Sequence, residues 1–79
     1  MLETELLTEA DLAALAKRFR TAAGRSRAEA GRDLGVSHVS IYRAEESPKE
    51  SLHKLRLRII EAYSPFTLAG PVFYLKPRS

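Results

Sequence analysis

The chain has 79 residues, 44% of them apolar, no cysteine and a formal net charge of +3. Its size supports one domain with a single modest core, and the absence of cysteine excludes disulfides, thiolate chemistry and Cys-ligated zinc. No apolar run approaches the ~20 residues needed to span a bilayer, and the acidic start Met1-Leu-Glu-Thr-Glu5 lacks the basic-then-apolar layout of a secretory signal. The expectation is therefore a cytoplasmic protein without a membrane partner.

Residues 1–7 read as a flexible lead-in, with Leu2, Leu6 and Leu7 available to dock on the domain that follows at 8–64. Thr8 with Asp11 is a near capping box, Asp standing in for the usual Glu, and opens a first helix. Leu12, Leu15, Ala16, Phe19 and Ala23 recur at helical spacing and define its buried stripe. Gly24 stops it. Ser26 and Glu29 form a regular capping box for a second helix running to about Leu34. After the corner Gly35-Val36, Ser37 caps a third helix that ends near Glu46. Ser47-Pro-Lys-Glu50 is another capping box, with proline at the first helical position. The fourth helix thus begins there or one turn later, around Ser51. Its inner face is Leu52, Leu55, Ile59 and Tyr63, and it stops before Pro65. The remainder, 65–79, is aromatic and β-branched with a Gly70-Pro71 interruption, and reads as two short strands or one bent strand.

Within this order, residues 27–46 carry the most information. Ala30, Leu34, Val36 and Ile41 are apolar where two short, steeply crossed helices must share one core. Gly31 is small where those helices pass closely, and Gly35 sits at a corner that favours positive φ. The pattern is that of a helix-turn-helix. His38, Val39, Tyr42 and Arg43 are spaced to project from one outer face of its second helix, the face such a unit offers to a DNA major groove. Charge agrees with this assignment. The first eleven residues carry Glu3, Glu5, Glu9 and Asp11 and no base. From Lys17 to Arg43 there are seven bases (Lys17, Arg18, Arg20, Arg25, Arg27, Arg32, Arg43) against Glu29 and Asp33. A positive centre on such a unit points to a nucleic-acid partner.

Over residues 12–63 the chain resembles the Cro/CI (XRE-type) helix-turn-helix repressors. The elements carrying the resemblance are Arg20-Thr-Ala-Ala-Gly24, Ser26-Arg-Ala-Glu29, Leu34-Gly-Val-Ser37 and Arg43-Ala-Glu45. The implied fold is mainly α: a four-helix Cro/CI-like domain with a short C-terminal β element, a strand or a hairpin, through which small repressors of this kind dimerise. Two positions depart from the family pattern. Arg27 replaces a frequent Gln near a phosphate, and Ala44 replaces a large apolar residue, leaving Phe73 or Tyr63 to fill the space.

The candidate base-reading residues are His38, Val39, Tyr42 and Arg43. Arg43 suits the O6 and N7 of guanine, His38 a purine N7 or a phosphate, and Val39 a thymine methyl. Tyr42 suits a phosphate or the groove wall. The candidate phosphate-binding residues are Arg25, Arg27, Ser37, Ser40 and Lys49, because the start of the second helix, the corner and the loop after the third helix lie against the backbone in this docking mode. Leu57 and Ile60 fall away from the expected inner face of the fourth helix. With Phe66, Val72 and Phe73 they are assigned to a dimer seam. No catalytic site, metal site or cofactor is expected: His38 and His53 are not spaced as a metal pair, and there is no glycine loop for phosphate. The expected activity is repression by a homodimer occupying an inverted-repeat operator. The competing assignment is an antitoxin or adaptor whose tail binds a partner protein.

Overall fold

The structure, a computed structural model, describes residues 7–69 and 74–77. It is mainly helical. Four helices follow one another as α1 (Glu9–Ala22), α2 (Arg27–Leu34), α3 (His38–Glu46) and α4 (His53–Tyr63).

The first three helices begin where side chains satisfy the N–H groups that a helix start leaves unpaired. Thr8 Oγ1 accepts from the Asp11 N–H at 3.1 Å, while the Asp11 carboxylate accepts from the Thr8 N–H at 2.9 Å. Ser26 and Glu29 repeat this reciprocal box at 3.1 and 2.9 Å. Ser37 caps α3 by accepting from the Ser40 N–H. The ends of α1 and α2 pass through Gly24 and Gly35, both at φ +72°, a left-handed conformation that costs glycine little.

The fourth helix uses the later of its two possible starts. Ser47-Pro-Lys-Glu50 closes into a turn, with the Glu50 N–H donating to the Ser47 carbonyl at 3.0 Å. Helix α4 then starts at His53 without a side-chain cap.

The core gathers Leu12, Leu15 and Ala16 of α1, Ala30 of α2, Ile41 and Ala44 of α3, and Ile59 and Ile60 of α4. Leu7 joins them at 8% exposure, so it belongs to the core and not to a flexible lead-in. Ala23, expected in the α1 stripe, is exposed at the helix end.

Ile60 requires a correction. It was assigned to a dimer seam but is fully buried among the helices. The buried face of α4 is Arg56, Ile59 and Ile60, rotated from the apolar stripe expected from Leu52, Leu55 and Ile59. An arginine occupies this face because its guanidinium has backbone acceptors within reach. Arg56 is 0% exposed. Its Nε donates to the Ala44 carbonyl at 2.8 Å, Nη2 to that of Ser47 at 2.8 Å, and Nη1 to that of Glu50 at 3.1 Å. Nη1 also donates to the Glu9 carboxylate at 2.7 Å. The small Ala44 thus has the buried Arg56 beneath its backbone. Tyr63, offered for that space, instead donates its hydroxyl to Asp33, and Phe73 lies outside the described residues.

After α4, Phe66–Ala69 (β1) runs antiparallel to Tyr74–Pro77 (β2), with Phe66 opposite Pro77 and Ala69 opposite Tyr74. Ser64 fixes the junction: its hydroxyl donates to the Ile60 carbonyl at 2.6 Å and accepts from the Phe66 N–H at 3.2 Å. The Phe66 ring then packs on Phe19 of α1, centroids 6.0 Å apart.

Two substitutions test this frame. A Cβ at Gly31 would stand 2.6 Å from the Val36 carbonyl oxygen and 3.2 Å from the His38 nitrogen, both backbone atoms. Gly31→Ala should therefore cost about 1–3 kcal/mol in urea unfolding, the range for overpacking a closed site. Arg56→Met keeps the bulk but orphans the buried Ala44 carbonyl and breaks the pair with Glu9. The expected loss is about 3 kcal/mol by the same measurement.

Candidate nucleic-acid interface

Helix α3 has two unlike sides. Ile41, Ala44 and Glu45 are buried, while His38, Val39, Tyr42 and Arg43 are exposed. Their spacing puts these four on one outer stripe. Val39 and Tyr42, each 49% exposed, are the large hydrophobic residues left exposed among the described side chains.

The inner side is held by charge as well as by apolar packing. Glu45 is buried and takes a two-point contact from Arg20 of α1, with Nη2 to Oε1 at 3.0 Å. Arg20 Nη1 also donates to the Arg25 carbonyl at 2.7 Å. Arg20 and Glu45 stand on different helices, and the fold joins them across 25 residues. The available sequence signal was Arg20 standing within an apolar stripe, four residues after Ala16.

Arg27 stands at the junction of these layers. Its Nε donates to Glu45 at 3.0 Å and its Nη2 to Glu46 at 2.9 Å, while Lys17 donates to the same Glu46 oxygen at 2.7 Å. The guanidinium lies 4.9 Å from the centre of the Tyr42 ring, a cation–π distance. Arg27, a candidate phosphate ligand, thus links the start of α2 to the outer stripe of α3 and supports the tyrosine. Arg25, also expected on a phosphate, binds both Asp33 oxygens at 3.0 and 2.9 Å and reaches Glu29 at 3.3 Å.

Ser37 and Ser40 sit together at the start of α3, hydroxyl to hydroxyl at 3.0 Å. Ser40 also lines an open groove of about 600 Å³ with Val36, Leu52, Leu55, Lys54 and Arg58. Lys49 is exposed in the turn after α3. The neighbouring Glu50 binds Arg43, so this turn is drawn against the end of the outer stripe. Arg56 carries no signal in the sequence, and Glu50 reads there only as part of a capping box. Nothing in residue spacing says that the Glu50 carboxylate turns to Arg43 instead of capping a helix.

Leu57 and Phe66 are half-buried against the core, while Val72 and Phe73 lie outside the described residues. Among the described residues no helix is long and apolar enough to cross a membrane, and no group of three or more His, Cys, Asp or Glu could hold a metal ion. The chain matches no protein-family model, no curated protein and no solved structure.

Four acids are held in their charged form. Glu29 titrates below its ordinary value through the Ser26 cap, Asp33 through Arg25 and then Tyr63, Glu46 through Lys17, and Glu50 through Arg43. Free carboxylates titrate near about 4. Below that pH the unfolded chain takes up protons that the folded chain still refuses. These groups therefore contribute their full stability above the ordinary carboxylate range and lose it as pH falls through their lowered folded values. The melting temperature should fall with acidification below about pH 4, and Lys17→Ala should weaken that dependence. A melting curve series in which Lys17→Ala leaves the acid slope unaltered would count against the Glu46 assignment.

Proposed function

We propose that the chain is a sequence-specific, double-stranded DNA-binding repressor of Cro/CI type. In this reading α2 and α3 form a helix-turn-helix, and α3 enters the major groove. A homodimer then occupies an inverted-repeat operator and blocks transcription by occlusion. One observation carries the reading: the large hydrophobic residues left exposed among the described side chains, Val39 and Tyr42, share the outer stripe of α3 with His38 and Arg43. A side chain for a thymine methyl, a flat aromatic ring and two nitrogen donors suit base edges in a major groove. The capped N-terminus of α3 and the exposed Lys49 suit the flanking phosphates.

Dimerisation is assigned to the C-terminal β element. A lone two-stranded ribbon is marginal in water. Among the described residues β1 and β2 have only each other as strand partners, which leaves both outer edges for pairing. The same edges suit a different protein, so an antitoxin or adaptor role is the alternative outcome of the test.

Selection from random duplexes at fixed salt should return an inverted repeat whose half-sites lie about one helical turn apart. Arg43→Ala should relax the preference at one base pair per half-site. Lys49→Ala should weaken binding to all duplexes and reduce the salt slope by about one unit. In sedimentation the full chain should run as a dimer and a chain ended after Tyr63 as a monomer. A full chain that remains monomeric would move the tail to the partner-protein alternative. Failure to select any duplex would overturn the DNA reading itself.

A further inference from the structure

Arg43 is exposed, yet it is already engaged in the free protein. Its Nε donates to Glu50 Oε2 at 3.2 Å and its Nη2 donates to Glu50 Oε1. This is a side-on grip. A guanidinium carries five N–H donors, and this grip uses the Nε–H and one hydrogen on Nη2. The remaining Nη2–H and the Nη1 group form the end-on fork, the edge that matches guanine O6 and N7.

The backbone that carries this carboxylate is itself held in place. The Glu50 N–H donates to the Ser47 carbonyl, and its own carbonyl accepts from Leu52 at 2.9 Å and from the buried Arg56 at 3.1 Å. An exposed ion pair of this kind adds little to stability, so the contact has more to offer recognition than folding. It restricts the rotamers of a long side chain before any ligand arrives. It also sets a negative charge beside the cation best placed to be captured by a phosphate.

We propose that Glu50 is a positioning residue for Arg43, holding the guanidinium side-on so that its free fork reads a guanine in preference to a phosphate. This assignment rests on the DNA-binding reading and adds to it the source of its discrimination.

The test compares wild type, Glu50→Gln, Arg43→Ala and the double variant on the selected repeat and on a random duplex at one salt concentration. Glu50→Gln should bind the random duplex more tightly, because a negative charge is gone. Its ratio of selected to random affinity should nevertheless fall about tenfold, within the range of one bidentate base contact. With Arg43 already replaced, Glu50→Gln should leave that ratio unchanged within about twofold, as an indirect effect through Arg43 requires. Replacing the contacted guanine by 7-deazaguanine, which lacks N7, should weaken wild type more than Glu50→Gln. If Glu50→Gln raises both affinities by one factor, Glu50 is only a charge screen and the proposal fails while DNA binding stands. If wild type itself shows no sequence preference, both readings fall together.

Discussion

The fold depends on one cation that solvent does not reach. Arg56 sits on the buried face of α4 and joins α1 through Glu9, α3 through Ala44 and the following turn through Ser47 and Glu50. A buried guanidinium is tolerable only when its donors are met, and those acceptors come together only when three separate segments are in place. Removing any of them exposes the others to the cost of an unpaired buried group. The arrangement ties helix assembly to all-or-none formation.

From that anchor, order passes outward through arginines. Arg20 and Arg27 grip the inner acids of α3, Arg27 then lies against Tyr42, and Glu50 grips Arg43. On the outer stripe of α3, Tyr42 and Arg43 are thus each backed by a charged neighbour, while His38 and Val39 stand at the start of the helix. The basic character seen in the sequence is consequently less free than its total suggests. Lys17, Arg20, Arg25, Arg27, Arg43 and Arg56 are all taken up by carboxylates. Most of the positive centre works inside the protein.

Backbone punctuation was the legible part of the chain. Thr8, Ser26 and Ser37 mark helix starts and Gly24 and Gly35 mark ends, because each acts on neighbours three or four residues away. The outer stripe of α3 was legible for the same local reason. Contacts across long separations were not. The Arg20–Glu45 grip spans 25 residues and the Arg56–Glu9 contact spans 47, distances over which periodicity carries no information. The inner face of α4 departs from its apolar stripe because Arg56 finds backbone acceptors in the interior, which turns Ile60 inward with it. Ser47-Pro-Lys-Glu50 had the letters of a cap, but Glu50 found a guanidinium instead of its own helix start. The carboxylate partners of Arg25 and Arg27 were likewise invisible in the spacing, because the fold supplies them.

The junction at Ser64 has a consequence for geometry beyond the domain. One hydroxyl ties the end of α4 to the first residue of β1, and Phe66 is pressed on Phe19 immediately afterwards. The chain therefore leaves the helical body in a direction set by packing, with no free linker between them. Whatever aligns along β1 inherits a bearing relative to α3 that the protein has already chosen. In a paired assembly the separation of the two outer stripes would then be a property of the fold, like the gap of a caliper locked at one setting.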